Sequence, residues 1–280
     1  MLTGIAAWTL AARVRLSAAM LTAFTPAGFW GAPTSTVDWC ETNYAQSQYI
    51  CEFFNTVSSL SMLLAGLLGL WLHRRLLEAR FLLGFASVAL VGLGSVAFHA
   101  TLRFELQMAD ELPMLYTTIV MVYILLENRP QRRFGAWFPL ALASHALLVT
   151  ALAALTRGDL QFYLFHASFG SMEAFSLYAV YRLQRGHAHA PLRRLYRTGM
   201  GAYLVAIGLW FLDLKFCSVL SERLPALGVF NPQLHAVWHV LVSCGFYCLL
   251  LVVAYLRLER LGRRPELGRL LGVIPALASR

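Results

Sequence analysis

Seven apolar runs, each bounded by short polar gaps, leave this chain little freedom in how it can fold. They cover residues 53–72, 81–102, 110–127, 134–155, 160–181, 197–217 and 234–256. About 20 apolar residues in a helix match the hydrocarbon core of a bilayer, and a helix satisfies its backbone hydrogen bonds internally. The runs are continuous rather than alternating, which excludes a membrane β-barrel. The expected fold is an all-α integral membrane protein, a seven-transmembrane helix bundle over residues 29–257. Composition agrees: 13% of residues are charged, against about 25% in a soluble domain. The net charge of +9 does not indicate nucleic acid, because the arginines sit in gaps between apolar runs rather than on a wet domain.

Those gaps set the orientation. HRRLLEAR (73–80), NRPQRR (128–133), QRGHAHAPLRRLYR (184–197) and the tail after Leu256 together hold 16 arginines. The opposite gaps hold three, Arg103, Arg157 and Arg223, and residues 29–52 have no Lys or Arg. The positive-inside rule places the C-terminus and the basic tail 258–280 in the cytosol, and residues 29–52 with the N-terminus in a lumen or outside the cell. Residues 1–28 form an extension of two apolar pieces split by Arg13 and Arg15. It reads as a signal-like segment, an interfacial segment or an extension without structural role.

Sidedness collects the polar residues. Span two ends on the lumenal side with His99 in GSVAFHATL, span three begins there with Asp110 in QMADELP, and span seven begins there with His235 and His239 in NPQLHAVWH. His235 and His239 are one helical turn apart and share a face. Three imidazoles with an open position form the ligand set of a catalytic zinc site, and zinc activates water near neutral pH. HAVWH is not HExxH, since Ala236 stands where the general base would be. The base must come from another helix, and Asp110 is the best-placed carboxylate. Ser95, four residues before His99, shares its face and can bond the water or a developing oxyanion. A lone histidine at a span end is more often an interfacial polar residue; three with an aspartate at one depth favour a site. His145 and His166, single histidines in spans four and five, read as structural. His187 and His189 lie in a basic gap and read as solvated.

The lumenal segment TSTVDWCETNYAQSQYICEFFNT offers Asp38, Glu41, Asn43 and Glu52 as hard oxygen ligands, with a carbonyl from Trp39. It lacks the EF-hand pattern and its glycine. The residues alone leave two readings open: a calcium site, or a solvated acidic loop with a helix cap. Cys40, Cys51 and Cys217 fall on the same, oxidising side.

These stretches resemble the alkaline ceramidase family. WGAPTSTVDWCETNY with CEFFNTVSSLSML, GSVAFHATLRFELQMADELPML and NPQLHAVWH resemble its three signature blocks, in order, over about residues 28–272. The family sits in a wider seven-span group that includes the adiponectin and progestin receptors. The resemblance implies hydrolysis of the N-acyl amide of ceramide, or its phyto and dihydro forms, to a sphingoid base and a fatty acid. It implies zinc on His99, His235 and His239, with Asp110 and Ser95 beside the water, and calcium on Asp38, Trp39, Glu41, Asn43 and Glu52. It also implies a Cys40–Cys217 disulfide, through the DWCE and FC contexts, with Cys51 as the competing partner. The expected setting is an endoplasmic reticulum or Golgi membrane, with the active site near the lumenal face and no obligate protein partner. Two other classes remain: a seven-span receptor with a zinc site and little or no turnover, and a transporter. A transporter needs a continuous polar path, which the apolar stretch Leu249–Val253 opposes.

Overall fold

The computed structural model describes residues 28–279; the extension at 1–28 lies outside them but for its last residue. Seven long helices follow one another: α1 Phe53–His73, α2 Ala79–Thr101, α3 Phe104–Leu126, α4 Trp137–Leu155, α5 Gly158–Gln184, α6 Ala190–Lys215 and α7 Leu234–Arg260. The protein is a mostly helical multi-pass membrane protein. Six of these helices are long and apolar enough to cross a membrane; α5 is long enough but not among them. Asp159, Gln161, His166, Glu173 and Arg182 interrupt its apolar character. Short helical pieces at Val219–Arg223 and Leu224–Ala226 join α6 to α7.

The core lies around α7, whose stretch Leu250–Ala254 is wholly buried. A helix apolar on all sides belongs inside a bundle. The packing of α2 on α3 has a local cause. Pro113 has no N–H, so the Ala109 carbonyl loses its partner four residues on. At that point α2 presents Gly94, and any Cβ there would overlap the Ala109 carbonyl. The small residue lets the two backbones meet, and it sets Ser95 opposite Asp110.

The tail differs from the sequence reading, which has no strand there. Pro265–Leu270 (β1) and Ile274–Ser279 (β2) form an antiparallel hairpin, with Leu267 opposite Leu277. The hairpin packs on the bundle: the Leu277 N–H donates to His73 Nε2 (3.1 Å), and the Tyr247 hydroxyl donates to the Pro275 carbonyl (2.9 Å).

Candidate metal centre

The lumen-assigned ends of α2 and α7 bring His99, His235 and His239 together. Their ligand nitrogens lie within 4.8 Å of one another, and all three side chains are buried. His99 Nδ1 hydrogen-bonds the Glu52 carboxylate, and its Nε2 is buried without a partner. His239 Nδ1 lies 2.8 Å from Ser58 Oγ, which leaves Nε2 facing the cluster, 3.4 Å from Ser95 Oγ. His235 stacks on Trp39, with centroids 3.7 Å apart, and its Nδ1 is buried and unpartnered. Buried nitrogens are seldom left unpaired. His99 and His239 are anchored through Nδ1 and His235 by its stack on Trp39; three buried imidazoles held this close together fit a divalent cation with nitrogen ligands.

Asp110 is buried on α3, with Oδ1 unpartnered and its carboxyl within hydrogen-bonding reach of Ser95. Ser95 also accepts a 2.9 Å hydrogen bond from Ser59 Oγ. Next to Asp110, Glu111 accepts from Gln107 Nε2 (2.8 Å) and Gln161 Nε2 (2.5 Å), which ties α3 to α5.

The acidic loop leads into α1. Glu41 caps that helix from a distance, accepting from the Phe54 and Asn55 N–H groups at 2.7 and 2.9 Å. A carboxylate at a helix N-terminus is favoured by the helix dipole. Glu52, at the N-cap, is thereby left to serve other partners: it accepts from the Trp39 N–H (3.0 Å), from Asn55 Nδ2 (3.1 Å) and from His99. Asp38 accepts from Asn43 Nδ2 at 3.1 and 3.2 Å, and Asn43 Oδ1 has no partner. Burial, reinforced by the Glu52 charge, pushes the Asp38 carboxyl up to about 6. Burial pushes Glu52 up to about 8 and also raises Glu41. Three carboxylates crowded without a cation partner make a loop that favours either protons or a metal. Their oxygens do not form a tight three-ligand group of the kind the histidines make among the described residues.

Cys40 and Cys217 form a disulfide, with Cα atoms 5.2 Å apart, and Cys51 is a buried free thiol. The Cys40 N–H donates to Asp213 (3.3 Å), and Asn231 Nδ2 donates to the Cys40 carbonyl (2.7 Å). His145 bonds Ser168 Oγ (3.0 Å), and His166 stacks on Phe162 and Trp210. His187 is not simply solvated: its Nε2 meets Glu259 at 2.8 Å. His189 is half-buried, stacked on Tyr255.

A family model described as Ceramidase matches residues 31–272. The chain belongs to the ceramidase family. Among curated ceramidases, mouse alkaline ceramidase 3 is 34% identical, over 89% of this chain and 94% of its own length. Arabidopsis thaliana alkaline ceramidase is 32% identical over 88% and 93%. An alkaline ceramidase of Saccharomyces cerevisiae is 31% identical over 82% and 79%.

Sequence reasoning missed several neighbours of the ceramidase-family histidines. Ser58 and the Trp39 ring touch the cluster, Ser59 supports it through Ser95, and Glu52 reaches it from the acidic loop. The SSLS run is the one signal that pointed to α1, since serines recurring in an apolar helix often face other helices. Beneath the histidines lies a small cavity, lined by apolar residues such as Val91, Met114 and Trp238 with Glu173 and Tyr203. Its walls continue the helices of the site: Val91 is one turn from Ser95, Met114 one turn from Asp110, and Ser243 one turn from His239.

Proposed function

We propose that this chain is a zinc-dependent ceramide amidohydrolase, releasing a sphingoid base and a fatty acid. The observation that carries the reading is the buried three-histidine cluster, with Asp110 and Ser95 beside it and an apolar cavity below. His99, His235 and His239 would hold the zinc, which supplies water activation and polarisation of the amide carbonyl. Asp110 takes the proton of the attacking water and returns it to the leaving amine. The Ser95 hydroxyl donates to the oxyanion that develops on the carbonyl. Glu52 fixes the ring of His99, and the Trp39 ring fixes that of His235. The cavity receives a hydrocarbon chain of ceramide arriving from the bilayer. Asp38, Glu41, Asn43, Glu52 and the Trp39 carbonyl form the proposed calcium site, which holds the loop against α1.

In this reading all seven helices span the membrane, with α5 shielded by its neighbours where it is polar. The arginine-rich gaps face the cytosol and the metal centre faces the lumen of the endoplasmic reticulum or Golgi. The test is metal analysis of purified protein combined with mass-spectrometric measurement of fatty acid released from ceramide. The expected result is about one zinc per chain and turnover, both lost in His235→Ala. Wild-type turnover by that variant, or a wild-type protein that carries zinc and releases no fatty acid from any ceramide, would overturn the proposal.

A further inference from the structure

We propose that a groove at the end of the bundle opposite the histidines binds the headgroup of an anionic phospholipid. The groove lies where the C-terminal ends of α3 and α7 meet the second half of α5, and it measures about 1030 Å³ with its open mouth. Arg129, Arg133, Arg182 and Arg260 line it. Among the described residues none of the four is paired with a carboxylate; the nearby pairs are Arg257 with Glu78 and His187 with Glu259. The adjacent Glu127 carboxylate is engaged by the Arg133 and Phe134 N–H groups. Arg182 donates only to the Tyr178 hydroxyl (2.9 Å) and Arg260 to the Asn128 carbonyl (3.3 Å). Four guanidinium groups outside any salt bridge attract an anion, and their forked donors suit phosphate oxygens.

Asn128 points the same way independently. It lines the groove and is 2% exposed, yet neither its amide oxygen nor its amide nitrogen has a partner. A buried amide left open is accounted for when a ligand completes it.

The remaining wall selects the kind of anion. Leu126, Phe175 and Leu183 give the groove an apolar side, for which a free phosphate has no use and along which an acyl chain lies. The groove sits where α3 and α7 end, which in the proposed orientation is headgroup depth. Basic pockets between helices on the arginine-rich side of a membrane protein are suited to anionic headgroups. A zwitterionic lipid would carry its own cation against the arginines.

The test uses full-length protein in nanodiscs of phosphatidylcholine and phosphatidylglycerol in equal amounts, followed by native mass spectrometry of retained lipid. Wild type should keep phosphatidylglycerol in preference to phosphatidylcholine. R129Q/R133Q/R182Q removes three exposed groups and should keep on the order of a hundredfold less. R193Q/R194Q/R197Q removes the same charge elsewhere at that end and should retain as wild type does. If the triple variant is unstable, Arg182→Gln alone should still lower retention. Equal retention of both lipids by wild type, or equal losses in both triple variants, would overturn the proposal. So would thermal stabilisation by inorganic phosphate alone that matches phosphatidylglycerol, which would assign the groove to a free anion.

Discussion

Asp110 puts an ionisable group inside an apolar bundle, where it is costly unless it has work to do. Its unpartnered Oδ1 and its neighbour Ser95, which itself lies 3.4 Å from His239, argue for proton transfer rather than for holding helices together. Asp110→Asn should lower ceramide turnover by about 10²–10⁴-fold, the usual worth of a general base, while zinc content stays at the wild-type level. Near-normal turnover would remove Asp110 from the mechanism. Glu52 makes a different prediction, because it touches His99 on the nitrogen away from the cluster. Partners of this kind tune ligand affinity by roughly 10–100-fold. Glu52→Gln should therefore weaken zinc retention against a chelator by about that factor; unchanged retention would mean that the contact is only structural. The convergence of His99, His235 and His239 was legible in the sequence, because arginine counting gives each helix end a side. The contacts of Glu52 with His99 and of Trp39 with His235 were not. They depend on which helices are lateral neighbours, and charge bias says nothing about that.

At the scale of elements, the helices were legible and their ends were not. The run read as 110–127 belongs to a helix that begins at Phe104, and the run read as 197–217 to one that begins at Ala190. In both, polar first turns (FELQMADE and APLRRLYR) are helical without being apolar, so hydropathy starts late. The C-terminal hairpin escaped for another reason: residues 270–278 are apolar but show no strict alternation and are too few to span. The acidic loop carries a prediction in pH. In the ion-free protein Asp38 and Glu52 have raised pKa values, about 6 and about 8. Their favourable contribution is thus complete below the ordinary carboxylate pKa and is lost as pH rises through those values. At the proposed site, calcium would bind the ionised form and offset that loss. The rise in thermal midpoint on adding calcium should accordingly be larger at pH 8.5 than at pH 5.5, and Glu41→Ala should blunt it. An equal rise at both pH values would show that these carboxyls are not the calcium ligands.

For the molecule as a whole, the Cys40–Cys217 bond fastens the acidic loop to the end of α6. The residues beside Cys40 explain why this matters: the Trp39 ring packs on His235, and Glu41 caps α1. The bond spans 177 residues of chain, so it removes a large loop from the unfolded ensemble and contributes about 2–5 kcal/mol on the chain-entropy estimate. For a chain of this size that corresponds to roughly 3–9 °C in thermal midpoint. Cys217→Ser should lower the midpoint by that order, and it should abolish the sensitivity of the midpoint to dithiothreitol that wild type shows. Cys51→Ser, which removes a buried thiol outside the bond, should leave the dithiothreitol sensitivity intact. Ceramide turnover by Cys217→Ser at a temperature where it remains folded should also fall, because Trp39 and Glu41 lose their common anchor. A midpoint and turnover equal to wild type, with or without reductant, would mean that Asp213 and Asn231 hold the loop through Cys40 without the covalent link.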